Sequence, residues 1–158
     1  MTAEPTVRSY HPDDRAAVIG MLADSDPWKR LGYAAHHWER LFAPLPPGRD
    51  GYVVEVNKDV AGLALLRRHF LFGDYLELLA IAPSRQRHGL GRTLLTHVER
   101  VVFARSTNLF VCVSDFNAAA RDFYRRHGFR EVGPIPDLLM SGSSEILLRK
   151  TTGPARRS

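Results

Sequence analysis

Cysteine is nearly absent from this sequence: Cys112 is the only one in 158 residues. A lone thiol excludes an intramolecular disulfide and a thiolate zinc cluster, and it agrees with a reducing compartment. Lysine is scarce too, at Lys29, Lys58 and Lys150, so nearly all the positive charge is arginine. No apolar run approaches the roughly 20 residues that cross a bilayer. The first residues, Met1 to Pro5, lack the basic and apolar regions of a secretory leader. The expectation is a cytoplasmic protein with no membrane partner.

What is present suits one ordinary domain. The chain is 44% hydrophobic and 25% charged, a composition that buries a core at this length. The formal net charge is +5 and the pI about 9.8. The basic residues are spread along the chain rather than clustered, so nucleic acid is not the expected partner. A polyanionic cofactor accounts for part of the surplus.

The most informative stretch is Ser84-Arg85-Gln86-Arg87-His88-Gly89-Leu90-Gly91-Arg92-Thr93. It follows the apolar run Leu76 to Ile81, closed by Pro83, and precedes the helical periodicity of Leu94, Leu95, Val98, Val101 and Val102. The pattern is strand, glycine turn, helix. Two glycines two apart let a ligand approach the backbone, and the free N–H groups of a helix's first turn favour an anion. Arg85, Arg87 and Arg92 add full charges. A dinucleotide fingerprint would need glycine where Leu94 stands, and a P-loop would need Gly-Lys-Ser/Thr where the chain reads Gly91-Arg92-Thr93.

Along the chain, Thr6 to Tyr10 reads as a strand and Pro12 to Asp24 as a helix whose first turn carries proline and acids. Trp28 to Phe42 reads as a second helical region packed by aromatics. Gly51–Val56 and Val60–Leu66 form a hairpin across Asn57-Lys58-Asp59, and His69 to Asp74 reads as a loop. A helix to about Ala104, a strand Asn108–Val113, a helix Ala118–His127 stopped by Gly128, and strands Arg130–Val132 and Ser144–Arg149 follow. Residues 1–150 form a single domain on this reading, and 151–158 a disordered tail.

A second motif is Asn117-Ala118-Ala119-Ala120-Arg121-Asp122-Phe123-Tyr124, followed by Gly128-Phe129. Seven residues are nearly two helical turns, so Asn117 and Tyr124 share one face about 10 Å apart along the axis.

Together Gln86-x-x-Gly89-x-Gly91 and the Asn117/Tyr124 helix resemble the two signatures of the GCN5-related N-acetyltransferases. The resemblance covers nearly the whole chain. It implies an α/β (α+β) fold: a mixed, mostly antiparallel sheet of six to seven strands flanked by about four helices. It implies acetyl-CoA as co-substrate, its pyrophosphate on Gln86, Arg87, His88, Gly89, Leu90, Gly91 and Arg92. The pantetheine arm would run along Leu79-Ala80-Ile81 past Asn117, with the Tyr124 hydroxyl near the thioester sulfur. A backbone N–H near Leu79 to Ile81, freed by a bulge, would serve the thioester oxygen.

The implied reaction is direct acetyl transfer to a primary amine of a small molecule or peptide. The alternative is a non-catalytic acyl-CoA-binding domain. Some relatives carry a glutamate five residues before the asparagine, where this chain has Cys112, which suits a small buried apolar residue better than a base. Glu77 is the substitute, since simple alternation puts it on one face with Leu79 and Ile81. The histidines show no ligand spacing, so neither a metal nor a covalent acyl-enzyme is expected. Dimers are common in the resembling family, and the sequence leaves a homodimer open.

Overall fold

The structure, a computed structural model, describes residues 3–156. Its elements are β1 (Thr6–Ser9), a 3-10 turn at Pro12–Asp14, α1 (Arg15–Ala23), α2 (Ala35–Leu41), β2 (Arg49–Val56), β3 (Asp59–Phe70) and β4 (Gly73–Ile81). A short 3-10 turn at Pro83–Arg85 leads to α3 (Leu90–Phe103), β5 (Asn108–Ser114), α4 (Ala118–Arg126), β6 (Arg130–Pro136) and β7 (Ser144–Thr151). The seven strands form one sheet in the order β1-β2-β3-β4-β5-β7-β6. Every neighbouring pair is antiparallel except β4 and β5. Among the described residues no helix is long and apolar enough to cross a membrane.

Alternation along the strands divides the core into two layers. On one face, Leu90, Leu94, Leu95, Val98 and Val102 of α3 pack with Tyr124 of α4 against Leu66, Leu76, Leu109, Val111, Val113 and Leu148. On the other, Val18 and Leu22 of α1 and Trp38 of α2 cover Val53, Leu63, Leu65, Leu78 and Ala80. Most of these side chains are fully buried, each contributing about 1.5–3 kcal/mol relative to exposure.

Four details differ from the sequence reading. First, β3 and β4 meet in a two-residue turn at Leu71-Phe72, with Phe70 opposite Gly73, where a loop from His69 to Asp74 was expected. Both turn residues have positive φ, 44° and 59°, the conformation that matches hairpin twist, and neither carries the Gly or Asn that announces it. Second, helix α2 is short. Trp28 to Tyr33 is a series of turns, because Gly32 sits at φ 85° and Tyr33 N–H returns to the Trp28 carbonyl at 3.0 Å. Third, β6 continues past Val132 to Pro136, its prolines tolerated because it is an edge strand. Fourth, Thr151 ends β7 rather than beginning a disordered tail: its hydroxyl donates to the Thr107 carbonyl at 2.9 Å, and Thr152 N–H donates to the same carbonyl at 3.0 Å.

The sheet opens at its parallel pair. Strands β4 and β5 pair only over Asp74–Leu76 and Leu109–Val111. Gly73 allows the close approach where they join, since a Cβ there would fall on the backbone of Asn108. Beyond Leu76 and Val111 the strands diverge, and the gap becomes the floor of a cleft.

Candidate active site

The divergence begins at a bulge. Leu65 opposes Leu78 while Leu66 opposes Leu76, so Glu77 is the extra residue on β4. The expected bulge at Leu79 to Ile81 therefore lies two residues earlier. It also undoes the alternation argument: Glu77 falls on the face of Leu78 and Ala80, whereas Leu79 and Ile81 pack toward α3. Its carboxylate is held by Arg49, Nε to Oε2 at 3.1 Å and Nη2 to Oε1 at 3.4 Å.

The backbone of β4 past the bulge has a free edge. Ala82 N–H donates to the Ala61 carbonyl of the β3 side at 2.8 Å. By the two-residue period, Ala80 and Leu78 also point at β3, and the N–H groups of Leu79 and Ile81 point into the gap. Gln86 agrees with this direction, its side-chain amide donating to the Ile81 carbonyl at 3.3 Å.

The cleft has a volume of about 820 Å³ and runs from Arg85, Gln86, Arg87, Gly89, Leu90, Gly91 and Arg92, along Leu79, Ala80 and Ile81, to Asn117 and Tyr124. Both sequence motifs thus meet in one place. His88 is exposed and is not among the lining residues. At the cradle, Gly89 has φ 78° and is the N-cap of α3, and no side chain caps that helix. The first intrahelical bond is Thr93 N–H to the Gly89 carbonyl, which leaves the N–H groups of Leu90, Gly91 and Arg92 facing outward. A Cβ on Gly91 would rest 3.5 Å from the Phe123 ring, so this glycine joins α3 to α4 beneath the cradle.

Asn117 is the N-cap of α4, its Oδ1 accepting from Ala120 N–H at 3.1 Å, and it lines the cleft as well. Its side-chain NH₂ stays available for a ligand. Tyr124 is 6% exposed, set edge-on against Phe123 and Phe129, each with ring centroids 5.2 Å away. Burial alone pushes its phenol well above the ordinary value.

The sequence reading singled out Cys112 on the far wall but not Tyr75 or Glu145 beside it. Tyr75, Cys112 and Glu145 line the cleft on the sheet face opposite α3. Leu109, Val111, Val113, Ile146 and Leu148 all face α3, so Cys112 and Glu145 point the other way. Burial raises the Cys112 thiol and the Tyr75 phenol, which touch each other; the thiol is therefore neutral near pH 7. Ser25, Asp26, Trp28 and Leu31 from the α1–α2 connection and Leu139 from the β6–β7 loop frame this second mouth. Arg30 lies over the Phe116 ring at 4.0 Å, joining that connection to the turn before α4.

The model of the Acetyltransferase (GNAT) family matches residues 8–129. The chain belongs to the GNAT acetyltransferases. Peptidyl-lysine N-acetyltransferase YiaC of Escherichia coli (strain K12) is 25% identical over 129 residues, covering 80% of this chain and 84% of YiaC. The ribosomal-protein-S18-alanine N-acetyltransferase of Escherichia coli superposes with a TM-score of 0.79 at 22% identity, over 98% of both chains. The PaiA N-acetyltransferase of Thermoplasma acidophilum, solved in complex with coenzyme A, superposes with a TM-score of 0.72 at 17% identity, over 94% of this chain and 99% of that one. At such identities the structural matches establish the GNAT fold.

GNAT acetyltransferases use acetyl-CoA, and the residues present fit it. An uncapped helix end beside three arginines suits a pyrophosphate. The outward Leu79 and Ile81 edge offers donors and acceptors matching the amides of a pantetheine arm.

Proposed function

We propose that this chain transfers an acetyl group from acetyl-CoA directly to a primary amine of a small molecule or peptide, within a ternary complex. The observation that carries this reading is the gap between β4 and β5. It joins the cradle side of the sheet, where Tyr124 sits, to the opposite face bearing Tyr75, Cys112 and Glu145. Two reactants can enter from opposite faces and meet within the gap, with no covalent relay through the protein. Cys112, half-buried and neutral, is poorly suited to carry the acetyl group.

In this reading Gln86 to Arg92 hold the pyrophosphate, with His88 contributing only main chain, and Leu79, Ala80 and Ile81 align the arm with help from Asn117. The outward N–H of Leu79 serves as donor to the thioester oxygen as it gains charge. Tyr124 hydrogen-bonds the sulfur. Glu77, engaged by Arg49, keeps the bulge and the start of β2 together, a positioning role that a paired carboxylate fills better than proton transfer.

The similarity to YiaC and to the S18-alanine enzyme makes lysine side chains and peptide N-termini the first acceptors to try. The test is release of free thiol from acetyl-CoA over lysine peptides, alanine-initiated peptides, polyamines and aminoglycosides. Release that depends on one of these amines supports the reading. Thermal stabilisation by CoA with no turnover on any amine would favour a binding domain.

A further inference from the structure

Glu145 is a carboxylate set apart from the cradle and from the Leu79 to Ile81 edge. It lies on β7, is 5% exposed, and lines the second mouth of the cleft. Among the described residues no lysine, arginine or histidine lies within ion-pair distance of it. The Ser114 hydroxyl rests against it without good hydrogen-bond geometry. A carboxylate held in the cleft wall with no cation beside it is a ready partner for a positive group that enters the cleft. Glu77 differs on this point, since Arg49 already neutralises it.

The register explains its place. Cys112 opposes Leu147 and Ser114 opposes Glu145, so Glu145 is the diagonal neighbour of Cys112 on the same face. Diagonal Cα atoms lie roughly 7–8 Å apart, within reach of a long side chain. The carboxyl thus serves the space that a glutamate at position 112 would serve, approached from the adjacent strand. Cys112 and, at the end of β5, Asp115 lie beside it, Tyr75 of β4 is near it, and β6 opposes it with the apolar Ile135; Asp26 of the α1–α2 connection and the Arg49-paired Glu77 line the same cleft. The groups beside Glu145 are thus acidic or neutral, which favours a cation there.

We propose that Glu145 is the catalytic residue that receives the acceptor's ammonium and takes its proton. This rests on the acetyl-transfer reading. One proton passes from R–NH₃⁺ to the Glu145 carboxylate. The freed lone pair forms the C–N bond to the thioester carbonyl carbon, and the C–S bond breaks. The second amine proton goes to the departing thiolate, giving amide and CoA thiol, and Glu145 returns its proton to solvent. Burial raises the Glu145 pKa, with Asp115 adding to it and Ser114 opposing, which makes the carboxylate a better proton acceptor than one in water.

The experiment compares wild type with Glu145→Gln on the full chain, using acetyl-CoA and the fastest of an alanine-initiated peptide, a lysine peptide and spermidine. At pH 7 the substitution lowers kcat/KM by about 100-fold or more. The deficit shrinks below about tenfold as pH nears 10, where the amine loses its proton unaided. CoA affinity stays within about twofold, and Cys112→Glu added to Glu145→Gln restores at least about tenfold of the lost rate. A loss equal at every pH, or a lost CoA affinity, means a structural role and overturns the inference. An active wild type matched by Glu145→Gln overturns it while sparing the acetyl-transfer reading; a wild type inactive on every amine overturns both. If Glu145→Gln does not fold, Glu145→Asp is compared in its place: an unchanged pH profile overturns the inference, and a selective loss near pH 7 supports it.

Discussion

Replacing Tyr124 by phenylalanine removes one hydroxyl and leaves a ring among rings. The side chain is buried against Phe123 and Phe129, and burial is the only cause acting on its phenol, so no protein partner is orphaned. The thermal midpoint should stay within about 2 °C, less than the shift for 1 kcal/mol in a chain of this size. As a proton donor, an ordinary phenol near 10 facing a thiolate near 8.5 starts about 2 kcal/mol uphill. Burial steepens that climb. A hydrogen bond to the charged sulfur, worth about 1.5–3 kcal/mol, is the contribution left to lose. Tyr124→Phe should therefore lower kcat by about 10- to 150-fold, with acetyl-CoA affinity within about twofold. Thiol release under saturating acetyl-CoA measures the first, and calorimetric titration the second. An unchanged kcat, or a loss that appears wholly as weaker CoA binding, would refute the reasoning.

Four further outcomes follow from the same geometry. Asn117→Ala removes the α4 cap, costing about 1 kcal/mol and a few degrees of thermal midpoint, and weakens CoA binding in the same titration. Gly89→Ala meets open space but must hold φ 78°, a strain of roughly 1–2 kcal/mol; CoA affinity should fall, whereas Gly91→Ala, in ordinary contact with Phe123, should leave stability nearly intact. Gly73→Ala drives a methyl into Asn108 and should prevent a normal unfolding transition by circular dichroism. Asp14 is held below the usual carboxylate range by the Arg8 guanidinium, with both contacts at 2.8 Å. Its contribution is fully present above the unfolded value near 3.9 and is lost as pH falls through the lowered folded value; denaturant titrations should show this acid loss, and Asp14→Asn should abolish it.

The features legible in the sequence are the ones set by neighbours along the chain. The cradle could be read because Gly89, Gly91 and the α3 periodicity lie within one strand-turn-helix unit. The pair Asn117 and Tyr124 could be read because helical spacing alone puts them on one face. The bulge at Glu77 could not, since it is defined by which residues of β3 oppose Leu76 and Leu78. One extra residue then moved Glu77 to the other face, against the alternation argument. Its Arg49 partner lies 28 residues away. Glu145 was hidden for a similar reason: its place depends on β7 lying between β5 and β6, and a single glutamate in a short strand carries no local sign of burial. The Leu71-Phe72 turn lacks glycine and asparagine, so its residue types gave no signal either.

Direct transfer across the gap between β4 and β5 is tested most directly by initial rates over a matrix of acetyl-CoA and amine concentrations. Direct transfer should give intersecting double-reciprocal lines and no release of thiol when amine is omitted. Parallel lines, with a burst of thiol from acetyl-CoA alone, would contradict it by requiring the protein itself to carry the acetyl group.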